Sequence, residues 1–300
     1  MDPIHTAIQE ITMLGKSARE SAIHVAAAAT RAGWGDGGGE ILDLGTRAAT
    51  LSTIASIDAI SAVVHIGHPA QPDPDLERLL LTGDDALIIT DSVSIEPQWV
   101  LAARSAESSG MVIVDEAGMR DCRGELRALG LAPRVVPSPT TMEQRVALAA
   151  EGDYLLVERD VIPRGFSEVA ASARLARLPA LWFGLLEASA GLPAFSAPAQ
   201  VWLAVGPQED HEGSLLATLS VFADHGVDLQ HLRSARSTVG PHVFLSSFAI
   251  SSSTQLRALL DTLEDRSVEY RILAVIPGDF RSEGPDAITP VWDNDLYTRR

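Results

Sequence analysis

The feature that most constrains this sequence is a change, late in the chain, in the order of its secondary-structure signals. Before residue 189, short apolar runs alternate with segments that carry apolar residues at helical spacing. That order predicts parallel strands joined by helices. After a segment rich in proline, alanine and serine at 189–199, the order becomes strand, helix, strand, strand, helix, strand. The sequence therefore predicts two successive α/β domains.

The first domain is predicted to have two lobes, because its strand and helix signals fall into two groups. We expect the chain to enter the second lobe, about 104–176, near 100–106 and to return in a strand at 181–186. Ligands bind such folds in the cleft, at the carboxyl ends of strands. The other expected strands are 11–14, 41–44, 62–66, 86–90, 111–114, 134–137 and 154–157, and the helices 17–32, 47–57, 76–81, 119–129 and 142–150.

Composition excludes several classes of function. The 300 residues carry a formal net charge of −17, which repels the phosphate backbone of nucleic acids. The single cysteine, Cys122, permits neither an internal disulfide nor a zinc site built from cysteines. No apolar run approaches the roughly 20 residues that span a bilayer, and residues 1–11 lack the pattern of a signal peptide. We expect a cytoplasmic protein that binds neither nucleic acid nor membranes.

The second domain has the order of the ferredoxin-like split βαββαβ unit. A polar tail is expected to follow it at 279–300. The expected strands are 200–205, 227–234, 242–250 and 270–275, and the expected helices are 213–225 and 254–265.

Two phrases of the second domain carry a resemblance to a known family. GSLL at 213–216 is similar to a Gly-Ala-Leu turn, and FADHGVDL at 222–229 is similar to the phrase FAERGINL. With the two-lobed domain before them, they resemble prephenate dehydratase. The resemblance implies a periplasmic-binding-protein-like catalytic domain over 1–190 and an ACT regulatory domain over 200–278. It also implies prephenate as substrate, no cofactor or metal, and a homodimer or homotetramer.

The resemblance implies an amino-acid effector at the ACT domain, held near Gly213, Leu215 and Ser234. Family members that bind phenylalanine carry ESRP, where this chain has RSAR at 233–236. Only the serine is retained, so we expect no feedback by phenylalanine. The alternative is a domain that serves dimerisation.

The first catalytic motif is only partly retained. Where the family has LGPEGTFSEQAA, this chain has LGKSARESA at 14–22. Gly15, Ser17 and Ser21 would offer backbone N–H groups and hydroxyls to an anionic substrate at a helix start. The alternative for Ser17 is a plain helix N-cap.

A second motif has lost its polar residues. VHIGHP at 64–69 replaces VPIENS, so Gly67 and His68 stand in place of polar groups. A histidine at a strand end can act as an acid or bind a carboxylate. The alternative is a surface histidine.

Three further segments bear on the predicted cleft. DEAGM at 115–119 replaces SHPQA, and its two acids would either repel a dianionic substrate or stabilise a helix N-terminus. Thr140 and Thr141 fall on the Ser-Thr pair of the family's STAEAA segment. Arg159 follows a strand, where it would bind a carboxylate or remain solvated.

The most informative departure ends the catalytic domain. The family has TRF, whose threonine serves dehydration, and here Leu181 and Trp182 stand for the threonine and the arginine. Leucine cannot donate a hydrogen bond to a leaving hydroxyl. The change is similar to that in non-aromatising prephenate decarboxylases of antibiotic pathways. The alternative is that Trp182 is only a core aromatic residue.

These departures favour a lyase that decarboxylates prephenate without aromatisation, giving a dihydro-4-hydroxyphenylpyruvate for a specialised amino-acid or antibiotic pathway. The predicted catalytic residues are His68, Thr140, Thr141, Leu181 and Trp182, and those for substrate binding are Gly15, Ser17, Ser21, Gly67 and Arg159. Three alternatives remain: a prephenate dehydratase making phenylpyruvate for phenylalanine biosynthesis, an inactive ACT-domain amino-acid sensor, and a lyase or isomerase for a related cyclohexadienyl acid.

Overall fold

The computed structural model describes residues 13–35, 40–57, 59–83, 87–105, 110–189, 191–193, 195, 198–207, 212–237 and 242–280. They form a mixed α/β fold with two sheets. The strands are β1 Met13–Lys16, β2 Leu42–Asp43, β3 Ile60–His68, β4 Gln71–Pro72, β5 Leu87–Ile95, β6 Trp99–Ala103, β7 Val112–Val114, β8 Pro133–Val135, β9 Tyr154–Glu158, β10 Ser167–Glu168, β11 Leu181–Ala188, β12 Ala199–Pro207, β13 Leu229–Arg236, β14 His242–Ile250 and β15 Val268–Pro277. The helices are α1 Ala22–Ala32, α2 Arg47–Ser56, α3 Pro74–Thr82, α4 Glu116–Ala128, α5 Met142–Leu148, α6 Ser214–Asp224 and α7 Ser253–Asp265, with short 3-10 helices at Arg159–Val161 and Ala170–Arg177.

The large sheet has the strand order β13-β14-β12-β15-β5-β11-β3-β1-β2, and β4 pairs with β3. Strand β1 runs parallel to β2 and β3, whereas β11 is antiparallel to both β3 and β5. The carboxyl ends of β3 and β5 and the start of β11 therefore meet at one edge of the sheet.

The small sheet has the order β10-β6-β9-β7-β8 and is built from the chain between β5 and β11. The expected crossing at 100–106 is wrong, since β6 is already paired with β9 from Trp99 onward. All five residues of β6 are buried, so this apolar run forms the interior of the small sheet.

Helix caps correct two predicted boundaries. The helix expected from residue 17 begins at Ala22, because the Ser21 side chain accepts a hydrogen bond from the His24 N–H. Ser21 is therefore the N-cap, and the N-cap interpretation of Ser17 is wrong. The helix expected from residue 119 begins at Glu116, because Asp115 caps α4 by accepting from the Gly118 N–H, as the helix N-terminus interpretation of DEAGM predicts.

The C-terminal unit has the predicted order of strands and helices over 199–277. Its strand β15 continues the sheet of the N-terminal unit by a parallel contact of Ala274 with Ile89 of β5. On one face, helices α2 and α3 cover a core to which both units contribute, including Ile66, Leu80 and Trp202. The two units thus share one sheet and this core cluster. Among the described residues, no helix has the length and apolar character needed to span a bilayer.

Candidate functional site

A cavity of about 620 Å³ lies where β3 and β5 end and β11 begins. Four residues singled out from the sequence line it together, namely Gly67, His68, Leu181 and Trp182. Strand register brings them together, because Trp182 pairs with Gly67 on one side and with Ser94 on the other. The remaining lining residues are His65, Gln71, Pro72, Asp73, Pro74, Ser94, Pro179, Ala180 and His231.

His68 has a fixed orientation in this cavity. Its Nδ1 accepts a hydrogen bond from the Ala70 N–H at 3.0 Å, so the neutral ring carries its proton on Nε2. The ring meets Trp182 edge to face with a centroid distance of 5.3 Å. The side chain is buried rather than on the surface, so the surface interpretation of His68 is wrong. A buried neutral imidazole with Nε2–H can donate a hydrogen bond to a substrate oxygen or to a water molecule.

Gly67 is required by the turn that follows β3. Its φ is +79°, and a Cβ there would lie 2.7 Å from the backbone nitrogen of Asp73. A side chain at residue 67 would strain this close approach. Gly67 thus positions His68.

The apolar wall is formed at the start of β11. Leu181 is buried and packs into the core beneath α1. Trp182 is half-buried, packing against the shared core and meeting Phe280 edge to face at 5.4 Å while lining the cavity. The tryptophan therefore has both a packing role and a surface toward the cavity.

The polar lining carries no net positive charge. Burial, with the nearby guanidiniums of Arg120 and Arg47, holds the pKa of His65 well below its ordinary value. Burial also lowers the pKa of His231, with Arg233 adding to the effect. Both imidazoles are therefore neutral at pH 7. Among the described residues, no group of three or more histidine, cysteine, aspartate or glutamate side chains is arranged to hold a metal ion.

Glu20 lies close to this cavity and is completely buried. Its Oε1 accepts from Arg47 Nη2 at 3.3 Å and from the His65 N–H at 3.4 Å. Arg120 of the small-sheet unit adds an ion pair at 3.7 Å. Sequence reasoning missed all three of these charged side chains, and no local signal marks them, since Glu20 stands in the polar segment KSARES at 16–21.

Arg47 joins Glu20 to the cavity lining. Its Nη1 donates to Asp73 Oδ1 at 3.3 Å, so the one carboxylate among the described lining residues is paired. Arg47 Nε, Arg120 Nη2 and His65 Nδ1 are buried and have no partner among the described residues. This cluster therefore retains three polar atoms with hydrogen-bonding capacity.

Ser17 and Ser21 donate to carboxylates of the chain itself. The backbone N–H of Ser17, at 3.2 Å, and its hydroxyl donate to Glu20 Oε2. The Ser21 hydroxyl donates to Glu158 of β9, a carboxyl whose pKa is raised by burial. A Cβ at Gly15 would lie 2.3 Å from Leu44 Cδ1, so a side chain there would displace Leu44. Their substrate-binding roles stay predictions.

Thr140, Thr141 and Arg159 are not among the described lining residues of the cavity. The Thr140 hydroxyl donates to the Pro137 carbonyl oxygen, and Thr141 forms a capping box with Gln144 at the start of α5. Arg159 pairs with Glu168 at 3.1 Å on the surface. The structure does not bring these three residues together with His68.

The predicted effector residues lie in the C-terminal unit. Gly213 has a φ of +93° and precedes α6, where Leu215 is partly exposed. Ser234 lies on β13, which forms the edge of the large sheet. Their effector role stays a prediction.

No family model matches this chain, and no curated protein matches it. Solved structures do match. A prephenate dehydratase from Arthrobacter aurescens in complex with L-Phe has a TM-score of 0.69 and 18% identity, covering 93% of this chain and 94% of that one. The prephenate dehydratase of Staphylococcus aureus has a TM-score of 0.63 and 13% identity, covering 88% and 100%. GqqA, described as a novel type of quorum quenching acylase, has a TM-score of 0.57 and 18% identity, covering 91% and 100%. At these identities the likeness shows a shared fold, the one found in prephenate dehydratase structures.

Proposed function

We propose that this chain is a lyase that decarboxylates prephenate without aromatisation, giving a dihydro-4-hydroxyphenylpyruvate for a specialised amino-acid or antibiotic pathway. The observation that carries the proposal is the cavity in which His68 meets Trp182 edge to face and which Leu181, packed on the opposite face of β11, also lines. The fold it shares with solved prephenate dehydratases supports the substrate class, although fold alone does not fix a reaction.

The apolar wall favours decarboxylation over dehydration in this proposal. Prephenate carries a ring carboxylate and a hydroxyl at opposite positions of a cyclohexadiene ring. Dehydration requires a proton on the leaving hydroxyl, and neither leucine nor the indole carbon surface supplies one. An apolar wall also desolvates the ring carboxylate, which favours its loss as carbon dioxide.

His68 orients the protonation step in this proposal. The bond between the ring and its carboxylate breaks, and the electron pair moves through the diene to a ring carbon. That carbon takes a proton from a water molecule that accepts a hydrogen bond from His68 Nε2–H, the nitrogen left protonated by the Ala70 hydrogen bond. The hydroxyl is retained, and the ring does not become aromatic. The hydroxide that remains is neutralised by solvent, and the imidazole stays neutral throughout.

One observation favours a second candidate, a prephenate dehydratase making phenylpyruvate. Two solved structures with this fold are of prephenate dehydratases. In this case His68 Nε2–H would donate a hydrogen bond to the leaving hydroxyl in place of the missing threonine. The remaining candidate, an inactive amino-acid sensor with an ACT domain over 200–278, draws on the neighbour that holds L-Phe.

Mixing the purified chain with prephenate at mildly alkaline pH tests the proposal, because spontaneous aromatisation is slow there. NMR and ultraviolet absorbance should show vinyl ring protons that persist after carbon dioxide is released. Phenylpyruvate as the sole product would establish the dehydratase, and absence of turnover would favour a binding protein.

The double variant Leu181→Thr/Trp182→Arg tests the role of the wall. We expect it to raise the share of phenylpyruvate, because it introduces a hydroxyl donor and a cation into the cavity. Leu185→Thr is the matched control, since Leu185 lies on the same strand but outside the described lining. An unchanged product ratio in the double variant would contradict the role of Leu181 and Trp182.

A further inference from the structure

The turn that follows β3 is held by side chains of the C-terminal unit. His68 pairs with Gln71 of β4, so Pro69 and Ala70 are the two residues of a tight hairpin turn. The carbonyl groups of these two residues lie outside the ladder between the two strands. They therefore need hydrogen-bond partners from another part of the chain.

The partners come from two adjacent strands, β12 and β14. The Trp202 indole Nε1–H donates to the Pro69 carbonyl oxygen at 2.6 Å, and the Ser247 hydroxyl donates to the Ala70 carbonyl oxygen at 2.5 Å. Both side chains are completely buried. Trp202 pairs with Ser247 across the two strands, so their side chains project from the same face of the sheet toward the turn.

The hydrogen bond from Trp202 acts on the peptide group that orients His68. The Pro69 carbonyl and the Ala70 N–H are the two ends of one planar peptide group. Trp202 donates to the oxygen of this group, and its N–H donates to His68 Nδ1 at 3.0 Å. Rotation of the peptide group would break both hydrogen bonds, and a chain of hydrogen bonds through one peptide group strengthens each of them. The proton on His68 Nε2 therefore depends on Trp202.

The same row of side chains extends to the cavity at His68. His231 of β13 pairs with Ser247 of β14 and lines that cavity. The C-terminal unit thus contributes one side chain to the lining and two to the support of the turn beside it.

We propose that Trp202 and Ser247 are positioning residues for His68, so that the C-terminal unit fixes the tautomer of an imidazole carried by the N-terminal unit. Trp202 holds the peptide group that is bonded to the ring, and Ser247 holds the next peptide group of the turn. The consequence for catalysis rests on the function proposed for His68, whereas the tautomer is a property of the folded chain without substrate.

NMR of the full chain with isotope-labelled histidine tests this proposal at mildly alkaline pH. The nitrogen chemical shifts of a neutral imidazole show which of its two nitrogens carries the proton, because only one of them is a donor. The variant His68→Gln identifies the two resonances of His68 by their disappearance. In the unchanged protein we expect two well separated shifts, with the proton on Nε2.

Trp202→Phe should bring these two shifts toward each other. We expect the ratio of the Nδ1–H form to the Nε2–H form to rise at least about fivefold, because the peptide group loses its anchoring hydrogen bond. Ser247→Ala should shift the ratio in the same direction. It removes only one oxygen atom from the core, so it tests the proposal even where Trp202→Phe does not fold.

Trp99→Phe and Ser246→Ala are the matched controls. Trp99 donates to Asp121 at 2.9 Å, and Ser246 donates to the Leu203 carbonyl oxygen at 3.0 Å, so each control removes a buried donor whose hydrogen bond does not involve the turn. Both controls should keep the His68 shifts of the unchanged protein. Shifts in Trp202→Phe and Ser247→Ala that match those of the controls would overturn the proposal.

Turnover of prephenate by the same variants distinguishes the positioning role from the function proposed for His68. If His68 acts in the reaction, kcat should fall in the variants whose tautomer ratio changes and stay unchanged in the controls. A changed ratio with unchanged kcat would support the positioning role and contradict the function proposed for His68. An unchanged ratio overturns the positioning role whatever the turnover.

Discussion

At the scale of single residues, buried charge is concentrated around Glu20. Its carboxylate contacts Arg47 of α2, a helix of the large sheet, and Arg120 of α4, a helix of the small sheet. It also accepts a hydrogen bond from the Ser17 N–H. Removal of one partner from a buried ion pair leaves the other charges without compensation, which costs more than the pair itself contributes. The contact between helices α2 and α4, which belong to different sheets, therefore depends on the Glu20 side chain.

We predict that Glu20→Ala lowers the free energy of unfolding by about 3–5 kcal/mol, because Arg47 and Arg120 lose their shared carboxylate. Urea unfolding followed by tryptophan fluorescence measures the change. Glu20→Gln, which keeps the volume and one acceptor oxygen, should cost less. The control is Asp224→Ala, which removes an exposed pair with Arg266 and should cost about 1 kcal/mol or less. A loss for Glu20→Ala no larger than that of the control would contradict the prediction.

The residues of the candidate site form two groups, those that the sequence identifies and those that only the structure identifies. His68, Leu181 and Trp182 stand out in the sequence because each departs from a motif, and the structure places them at one cavity. Glu20 and Arg47 carry no such signal, because their importance comes from burial beside each other. Whether a charged side chain is buried depends on the tertiary fold, and the residues adjacent to it in sequence do not determine it.

At the scale of elements, β11 is the strand on which the candidate site depends. It lies between β3 and β5, and its first residues form the apolar wall. Gly184 in its middle is enclosed, since a Cβ would lie 2.7 Å from Ile66 Cγ2 and 2.7 Å from Ile89 Cγ2. The close approach of these two isoleucines to β11 requires glycine.

We predict that Gly184→Ala lowers the free energy of unfolding by about 1–3 kcal/mol, because the added methyl group displaces both isoleucines. Gly124→Ala is the opposite control, because Gly124 lies in α4 with no atom within 4 Å of the new methyl group. That change should raise stability by about 0.5–1 kcal/mol through helix propensity. Thermal unfolding of both variants measures the difference, and equal melting temperatures would show that the β11 packing tolerates the methyl group.

Element boundaries depend on local chemistry that the sequence only partly reveals. The sequence predicts that Asp115 stabilises a helix start, and Asp115 caps α4. Helical spacing extends back to residue 17 and predicts too early a start for α1, because Ser17 is hydrogen-bonded to Glu20 and Ser21 provides the cap. Spacing identifies a helical face, and the hydrogen bonds of the first turn decide where the helix begins.

At the scale of the whole molecule, an ion pair joins the N-terminal unit to the C-terminal unit. Glu77 of α3 pairs with Arg233 of β13, and its side chain is almost completely buried. Burial raises the pKa of Glu77 from 4.5 to about 7, although Arg233 opposes the shift. The folded protein therefore holds a proton on Glu77 at pH values where the unfolded chain releases it.

We predict that this group makes the protein less stable as pH rises from 4.5 to about 7, because over that range the folded state binds the proton more tightly than the unfolded state. Glu77→Gln removes the titration, so the difference in unfolding free energy between the variant and the unchanged protein should grow through this range. Urea unfolding at several pH values measures it. The comparison cancels other groups, such as His24, whose pKa is lowered to about 4 mainly by burial. A difference independent of pH would contradict the prediction.

The sequence by itself determined the order of the seven helices, the βαββαβ pattern of the C-terminal unit and the apolar start of β11, because periodicity and turn residues act over a few neighbouring positions. It did not predict the strands β4, β6 and β10. The tertiary structure decided which distant segments meet. Only it joins β15 to β5 in one sheet and places Arg47 and Arg120 around Glu20. The reason is that strand order and helix placement follow from burial across the whole chain, which no local pattern specifies.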